Sequence, residues 1–186
     1  MKTLFLDKNM KYDGSQLAPH FIYKNFGIMG DAIVSFVGPC EVKLTEMVDI
    51  EDVVNNEPIY SENMLHFICE IFNADLIRGV YMQRLLVTTI KEQLEMNYNQ
   101  KLTRKGDDLF VGNGKLSVSI ATKSPTSVLI HTALNITTKN TPVKTSGLET
   151  DLNITDIEKF AKDVLNAYNE EVNDIYLATT KVRGVI

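Results

Sequence analysis

The sequence predicts an α+β fold in which a mixed, largely antiparallel central sheet is flanked by helices. Three observations carry that expectation. Across residues 103–135, apolar residues alternate with period two around the turn Gly112-Asn113-Gly114, the pattern of half-buried strands meeting at a hairpin. Two other stretches, 78–96 and 155 onward, place apolar residues at helical spacing with charges between them. The elements read in the order strand, helix, strands, two helices, hairpin with a further strand, long helix.

Size and composition bound the function. A chain of 186 residues, 44% of them apolar, builds one domain with a substantial core, so residues 1–186 are read as a single domain. The formal net charge is −5, with acids and bases interspersed, which argues against nucleic acid as a partner. Cys40 and Cys69 stand in no metal or redox spacing and read as free thiols of a reducing compartment. The N-terminus holds only a short apolar run, Leu4 to Leu6, against the roughly 7–15 residues of a signal peptide or about 20 of a membrane span. A cytoplasmic protein without membrane contact is expected.

Along the chain, residues 3–6 read as a first strand and residues 17–26 as a helix with Ser15 as its cap and Pro19 in its first turn. The run 32–37, AIVSFV, bounded by Gly38-Pro39, reads as a core strand that the EVKL following it can extend. Asp49, Glu51 and Asp52 are either a metal or ribose site or the start of a solvated helix; no His or Asn partners lie near them in sequence. Ser61 is placed to cap a helix reaching Phe72, with Met64, Leu65, Ile68 and Phe72 at helical spacing and His66 beside that stripe as a packed core histidine. Residues 137–153, with Pro142 and Gly147, read as a loop. Thr155-Asp156-Ile157-Glu158 has the form of a capping box and launches a helix that runs nearly to the C-terminus.

The candidate chemistry concentrates on the central strands. Lys115 leaves the glycine-rich turn at the start of a strand, where an ammonium can hold a carboxylate or stabilise charge developing on an acyl oxygen. Asp107 and Asp108, one strand earlier, can orient Mg²⁺ or accept from ribose hydroxyls, and His131 can orient a substrate or act as a base. The same residues also fit a plain reading in which Lys115 is a solvated turn residue, Ser117 and Ser119 form an exposed sheet face and His131 caps a strand. GNGKLS is too short for a phosphate loop and sits in a hairpin, not ahead of a helix. Three scattered histidines and two cysteines make no metal site.

Over most of its length the chain resembles a mainly archaeal family known as a domain of unknown function, through GSQLAPHF, GPCEV, MLHFICEIF, QRLL, KGDDLFV, KLSVSIAT and TALNI. The resemblance implies the fold of biotin and lipoate protein ligases. Lipoate ligases carry N-D, then K-x-S-G-S-A, then H-H-G-T around their acyl-adenylate site. Asp107-Asp108-Leu109, Lys115-Leu116-Ser117-Val118-Ser119 and His131-Thr132 follow in that order here. The octanoyltransferase pattern of lysine strand, H-G-x-A-L-N and P-C-G is similar to Lys115, His131, Ala133-Leu134-Asn135 and Ser146-Gly147. The resemblance thus implies Lys115 as the catalytic lysine, with Asp107, Asp108, Ser117, Ser119, His131, Asn135 and Ser146 around a small carboxylic acid or acyl donor. ATP with Mg²⁺, an acyl-acceptor protein and a homodimer fit the same resemblance. Val118, Thr132 and Ser146 stand where those enzymes have Gly, Gly and Cys. The alternative is therefore a non-catalytic binding or interaction module that keeps the fold without the chemistry.

Overall fold

The computed structural model describes residues 1–141 and 143–185; Pro142, read from sequence as part of a loop, lies outside them. The elements run β1 (Lys2–Leu6), α1 (Phe21–Phe26), β2 (Ala32–Val42), α2 (Ile50–Asn55), β3 (Ile59–Phe72), α3 (Leu76–Tyr98), β4 (Thr103–Lys105), β5 (Asp108–Val111), β6 (Gly114–Lys115), β7 (Ser117–Lys123), β8 (Ser127–Asn135) and α4 (Ile157–Thr180). Five strands form the main sheet in the order β1-β2-β3-β8-β7, and β4-β5-β6 form a small second sheet. The β1–β2 pair is parallel and the other pairs of the main sheet are antiparallel. The α+β architecture with a largely antiparallel sheet is thus the one the sequence predicts.

The predicted helix over 61–72 is instead the 14-residue strand β3. Its residues are buried on both faces. Leu65, Phe67, Cys69 and Ile71 pack against α3 and α4, and Met64 and Ile68 pack on the opposite side with Tyr12 and Ile22. A strand buried on both faces shows a near-continuous apolar run, and periodicity alone does not separate that run from a buried helix. The β-branched and aromatic residues of HFICEIF decide for the strand.

Three smaller expectations are corrected. The first helix covers only Phe21–Phe26, and its N-cap is His20 in the left-handed region; Ser15 turns its hydroxyl to Asp13 Oδ1 at 2.6 Å instead. The cap of α4 is Asp156, which accepts from Lys159 N at 3.0 Å, one residue beyond the expected Thr155. On β7, Leu116 precedes the strand and joins the core beneath α3, whereas Val118 packs on the other side. The serine face of that strand, read as exposed in the plain alternative, is the one turned toward α3: Ser117 is buried and Ser119 meets Gln83. Asp49, Glu51 and Asp52 form the start of α2, where Asp49 accepts from Glu51 N at 2.9 Å.

Helices α3 and α4 cover one face of the sheet. The N-terminal segment around Tyr12 and helix α1 cover part of the other. The remainder of that second face, near the ends of β3, β7 and β8, is left open and forms the floor of a cavity.

Candidate functional site

The cavity has a volume of about 710 Å³. One arm is apolar, walled by Tyr12, Leu17, Val42, Met64, Val118 and Ile120. The other is polar and carries Lys115, Asp107, Asp108, Asn135, Lys144 and, from α2, Asp52. Antiparallel pairing creates this arrangement. β5 sets Phe110 opposite Lys115 of β6, so Asp108 and Lys115 leave neighbouring strands close together. Lys115 Nζ reaches Asp108 Oδ2 at 2.9 Å. Burial pushes the Asp108 carboxyl up from its ordinary value, against the Lys115 hydrogen bond that pulls it down. Across the cavity Asp52 is also raised, by burial first and then by its neighbour Asp49.

Asp107 turns away from its neighbour, toward α3. Its carboxylate accepts from Gln83 Nε2 at 2.8 Å and pairs with Arg84 at 3.2 Å. Gln83 Nε2 also donates to Ser119 Oγ at 3.0 Å, and Ser119 meets Thr132 Oγ1 at 2.8 Å. One hydrogen-bonded chain therefore ties the edge of the sheet to α3. Asn135 Nδ2 donates to the carbonyls of Lys115 and Leu116 at 3.3 and 3.4 Å, which braces the backbone beneath the lysine.

Lys115, Asp107, Asp108, Ser119 and Asn135 thus come together around the cavity. Ser117, His131 and Ser146 sit behind it. Ser117 Oγ accepts from Leu109 N at 2.9 Å, and Ser146 Oγ donates to Val111 O at 3.4 Å; both stitch the strands that carry the lysine. The His131 ring lies under Tyr12, centroids 3.6 Å apart and nearly parallel. Its Nε2 is 3.1 Å from His66 Nδ1, and His66 Nε2 is 3.1 Å from the Gly38 carbonyl. A carbonyl only accepts, so His66 carries its proton on Nε2 and His131 donates to His66 Nδ1. Burial lowers both imidazoles, His66 to about 4 and His131 well below its ordinary value, and both are neutral at pH 7. Among the described residues, no group of three or more His, Cys, Asp or Glu side chains is placed to hold a metal ion.

Sequence reasoning missed Tyr12, Gln83 and Arg84, and left Asp52 open between a metal or ribose site and the start of a solvated helix. Each is far in sequence from the lysine strand and has no spacing motif. QRLL is one of the segments that carry the family resemblance, but nothing in its spacing ties Gln83 or Arg84 to the lysine strand. Cys40 and Cys69 are buried free thiols, and burial pushes Cys40 up to about 12, which leaves it inert as a nucleophile.

The fold is that of biotin and lipoate protein ligases. The candidate lipoate protein ligase Ta0514 from T. acidophilum, solved with bound lipoic acid, superposes with a TM-score of 0.65 at 12% identity, over 93% of this chain and 86% of that one. At that identity the likeness shows the fold alone. Within this fold the chain belongs to the family described as Domain of unknown function (DUF366), whose model matches residues 1–183. A protein of unknown function from Pyrococcus horikoshi has the same structure, with a TM-score of 0.92 at 40% identity over 100% of this chain and 99% of that one. The uncharacterized protein MJ0805 of Methanocaldococcus jannaschii is 38% identical over 181 residues, covering 94% of this chain and 81% of that protein. Among the described residues, no helix is long and apolar enough to cross a membrane.

Proposed function

We propose that the cavity binds a small carboxylic acid or its activated acyl derivative and that the protein activates or transfers the acyl group, with Lys115 as the electrostatic clamp. The observation that carries this reading is the position of Lys115 Nζ. It lies in the polar arm of a cavity of about 710 Å³ whose other arm is apolar, and is anchored by Asp108 at 2.9 Å. An ammonium has three donors, and Asp108 takes one. The others can reach a carboxylate or the oxygen on which charge grows as an acyl group is attacked. Asp108 acts here as a positioning residue. The apolar arm accepts the chain of the acid, and Asn135 holds the backbone under the lysine. The lipoic acid bound to Ta0514 shows a ligand of this class in another protein of the fold. ATP with Mg²⁺ or a thioester supplies the activation this reading calls for.

A second reading is a binding module without catalysis. The observation that favours it is the charge of the cavity lining, where Glu46, Asp49, Glu51, Asp52, Glu57, Asp107 and Asp108 outnumber Lys115 and Lys144, and Asp107 is paired with Arg84 of α3. That balance suits a nucleotide triphosphate poorly unless cations accompany it.

The test is a thermal-shift panel of lipoate, biotin and octanoate, their adenylates and coenzyme A thioesters, and ATP with Mg²⁺, on wild type and Lys115→Ala. A ligand at a hundred times its dissociation constant adds about 2.7 kcal/mol, a rise of roughly 5–10 °C for a chain of this size. The proposal expects that rise from an activated acid and its loss in the variant. Mass spectrometry then separates the readings: an adenylate or acyl-protein adduct supports the enzyme, and binding without either supports the module.

A further inference from the structure

On the floor of the cavity lies a polar group that neither reading has used. Ser61 is 2% exposed, lines the cavity, and its Oγ has no hydrogen-bond partner. Its orientation comes from an irregularity in the sheet. Between Gly38 and Cys40 strand β2 advances two residues, while β3 advances three between Met64 and Ser61. The additional residue on β3 is a β-bulge, and Pro39 on the facing strand, with no N–H to give to a ladder, stands at that place.

A bulge reverses the alternation beyond it. In regular pairing Glu62 would share the face of Met64. Here Ser61 and Ile59 do, opposite Cys40 and Val42, which both belong to the core cluster around Tyr12 and Met64. The bulge therefore turns a hydroxyl into an otherwise apolar wall. A buried hydroxyl without a partner is unfavourable, and an alanine in its place would fill the same wall without that cost.

We propose that Ser61 is a ligand-binding residue, whose hydroxyl bonds an oxygen carried at the far end of the acid that Lys115 holds. The inference rests on the reading of the cavity as an acid site for the charged end of the ligand. Met64 pairs with Asn135, the residue beneath Lys115, and Ser61 lies three residues further along β3, roughly 10 Å at strand spacing. The two polar contacts are thus separated by about the length of a medium chain. The substrate class is a bifunctional acid, with a hydroxyl or carbonyl oxygen distal to its carboxylate, in preference to a plain fatty acid.

The experiment titrates octanoate, 8-hydroxyoctanoate and the neutral hexanamide into wild type and Ser61→Ala by calorimetry, and records the melting temperature of each protein without ligand. The expected result is that wild type prefers 8-hydroxyoctanoate over octanoate by roughly fivefold to tenfold. Ser61→Ala should bind the two acids equally and melt no lower than wild type. Hexanamide should lose affinity in Ser61→Ala by a similar factor. If neither acid binds and hexanamide still depends on Ser61, the acid reading and the bifunctional-acid substrate class fall, and Ser61 stands as a ligand-binding residue for a neutral oxygen. Three results overturn it: no preference in wild type, a preference that survives in Ser61→Ala, or a variant melting well below wild type, which would make the hydroxyl structural. No binding by any of the three probes overturns both readings.

Discussion

Asp108 keeps a raised carboxyl pKa although an ammonium stands 2.9 Å away, because the strands around it remove water that no single ion pair replaces. Lys115 and Asp108 are about one-third and one-quarter exposed at their side chains, and a pair in that setting contributes no more than about 1 kcal/mol. Lys115→Ala should therefore leave the melting temperature within a few degrees of wild type while ligand-induced stabilisation disappears, checked by the thermal-shift panel. A fall in stability of several kcal/mol would instead make the lysine a structural residue. The histidine pair makes a second residue-scale prediction. Folding holds His66 and His131 neutral, with pKa values below the ordinary 6.5. The unfolded chain binds protons near pH 6.5 that the folded one refuses until about pH 4 at His66. The stability these groups allow is complete above pH 7 and falls as pH drops through that window, by at most about 1.4 kcal/mol per pH unit for each histidine. Urea unfolding at pH 7.5, 6.5 and 5.5 checks the slope. His131→Gln should flatten it, and an equal slope in that variant would remove the assignment.

The close approach of α3 to the sheet gives a prediction at the scale of elements. Gly79 is buried in the second turn of α3, and a Cβ built there meets Val128 Cγ1 of β8 at 2.3 Å. Alanine ordinarily stabilises a helix interior relative to glycine by about 1 kcal/mol. Here overpacking opposes that gain, and Val128 is itself fully buried, so it has little room to move. Gly79→Ala should cost roughly 1–3 kcal/mol, measured by denaturant titration, and a stabilised variant would show that helix and strand can separate without penalty. The elements also explain what was legible in sequence. Helices α3 and α4 each have one exposed face, and their period survives in the sequence. Strand β3 has none, and HFICEIF reads equally well as a buried helix. The hairpin turn is legible because Gly112 adopts a positive φ of 55°, a backbone state that selects for glycine.

At the scale of the whole molecule, burial is uneven. Strand β3 lies at the middle of the five-stranded sheet with cores on both faces, whereas β4 of the small sheet is exposed along its length. Hydrogen exchange should be slowest in β3 and β8 and fastest in β4, with β5 and β6 between them. Mass-spectrometric exchange checks this order, and protection of β4 equal to that of β3 would contradict it. The same gradient places the candidate site where the rigid sheet meets the less buried one: Asn135 comes from the first and Lys115 from the second.

The helices with a wet face, the hairpin turn, the lysine after it with its acidic neighbours, and the family to which the chain belongs were legible in the residues alone, whereas the break at Leu116 that puts Lys115 on β6 and Ser117 on β7 of another sheet was not. The legible features are properties of residues close together in the chain, carried by period, turn chemistry and motif. Which strand stands at the centre, that Tyr12 closes over His131, that Asp107 turns to Gln83 and Arg84, and that a bulge opposite Pro39 brings Ser61 to the cavity face of β3 are legible in the folded molecule alone. Those depend on pairing between distant segments. Such contacts become favourable once hydrophobic burial has offset the cost of closing the loops between them, and local spacing carries no record of that balance.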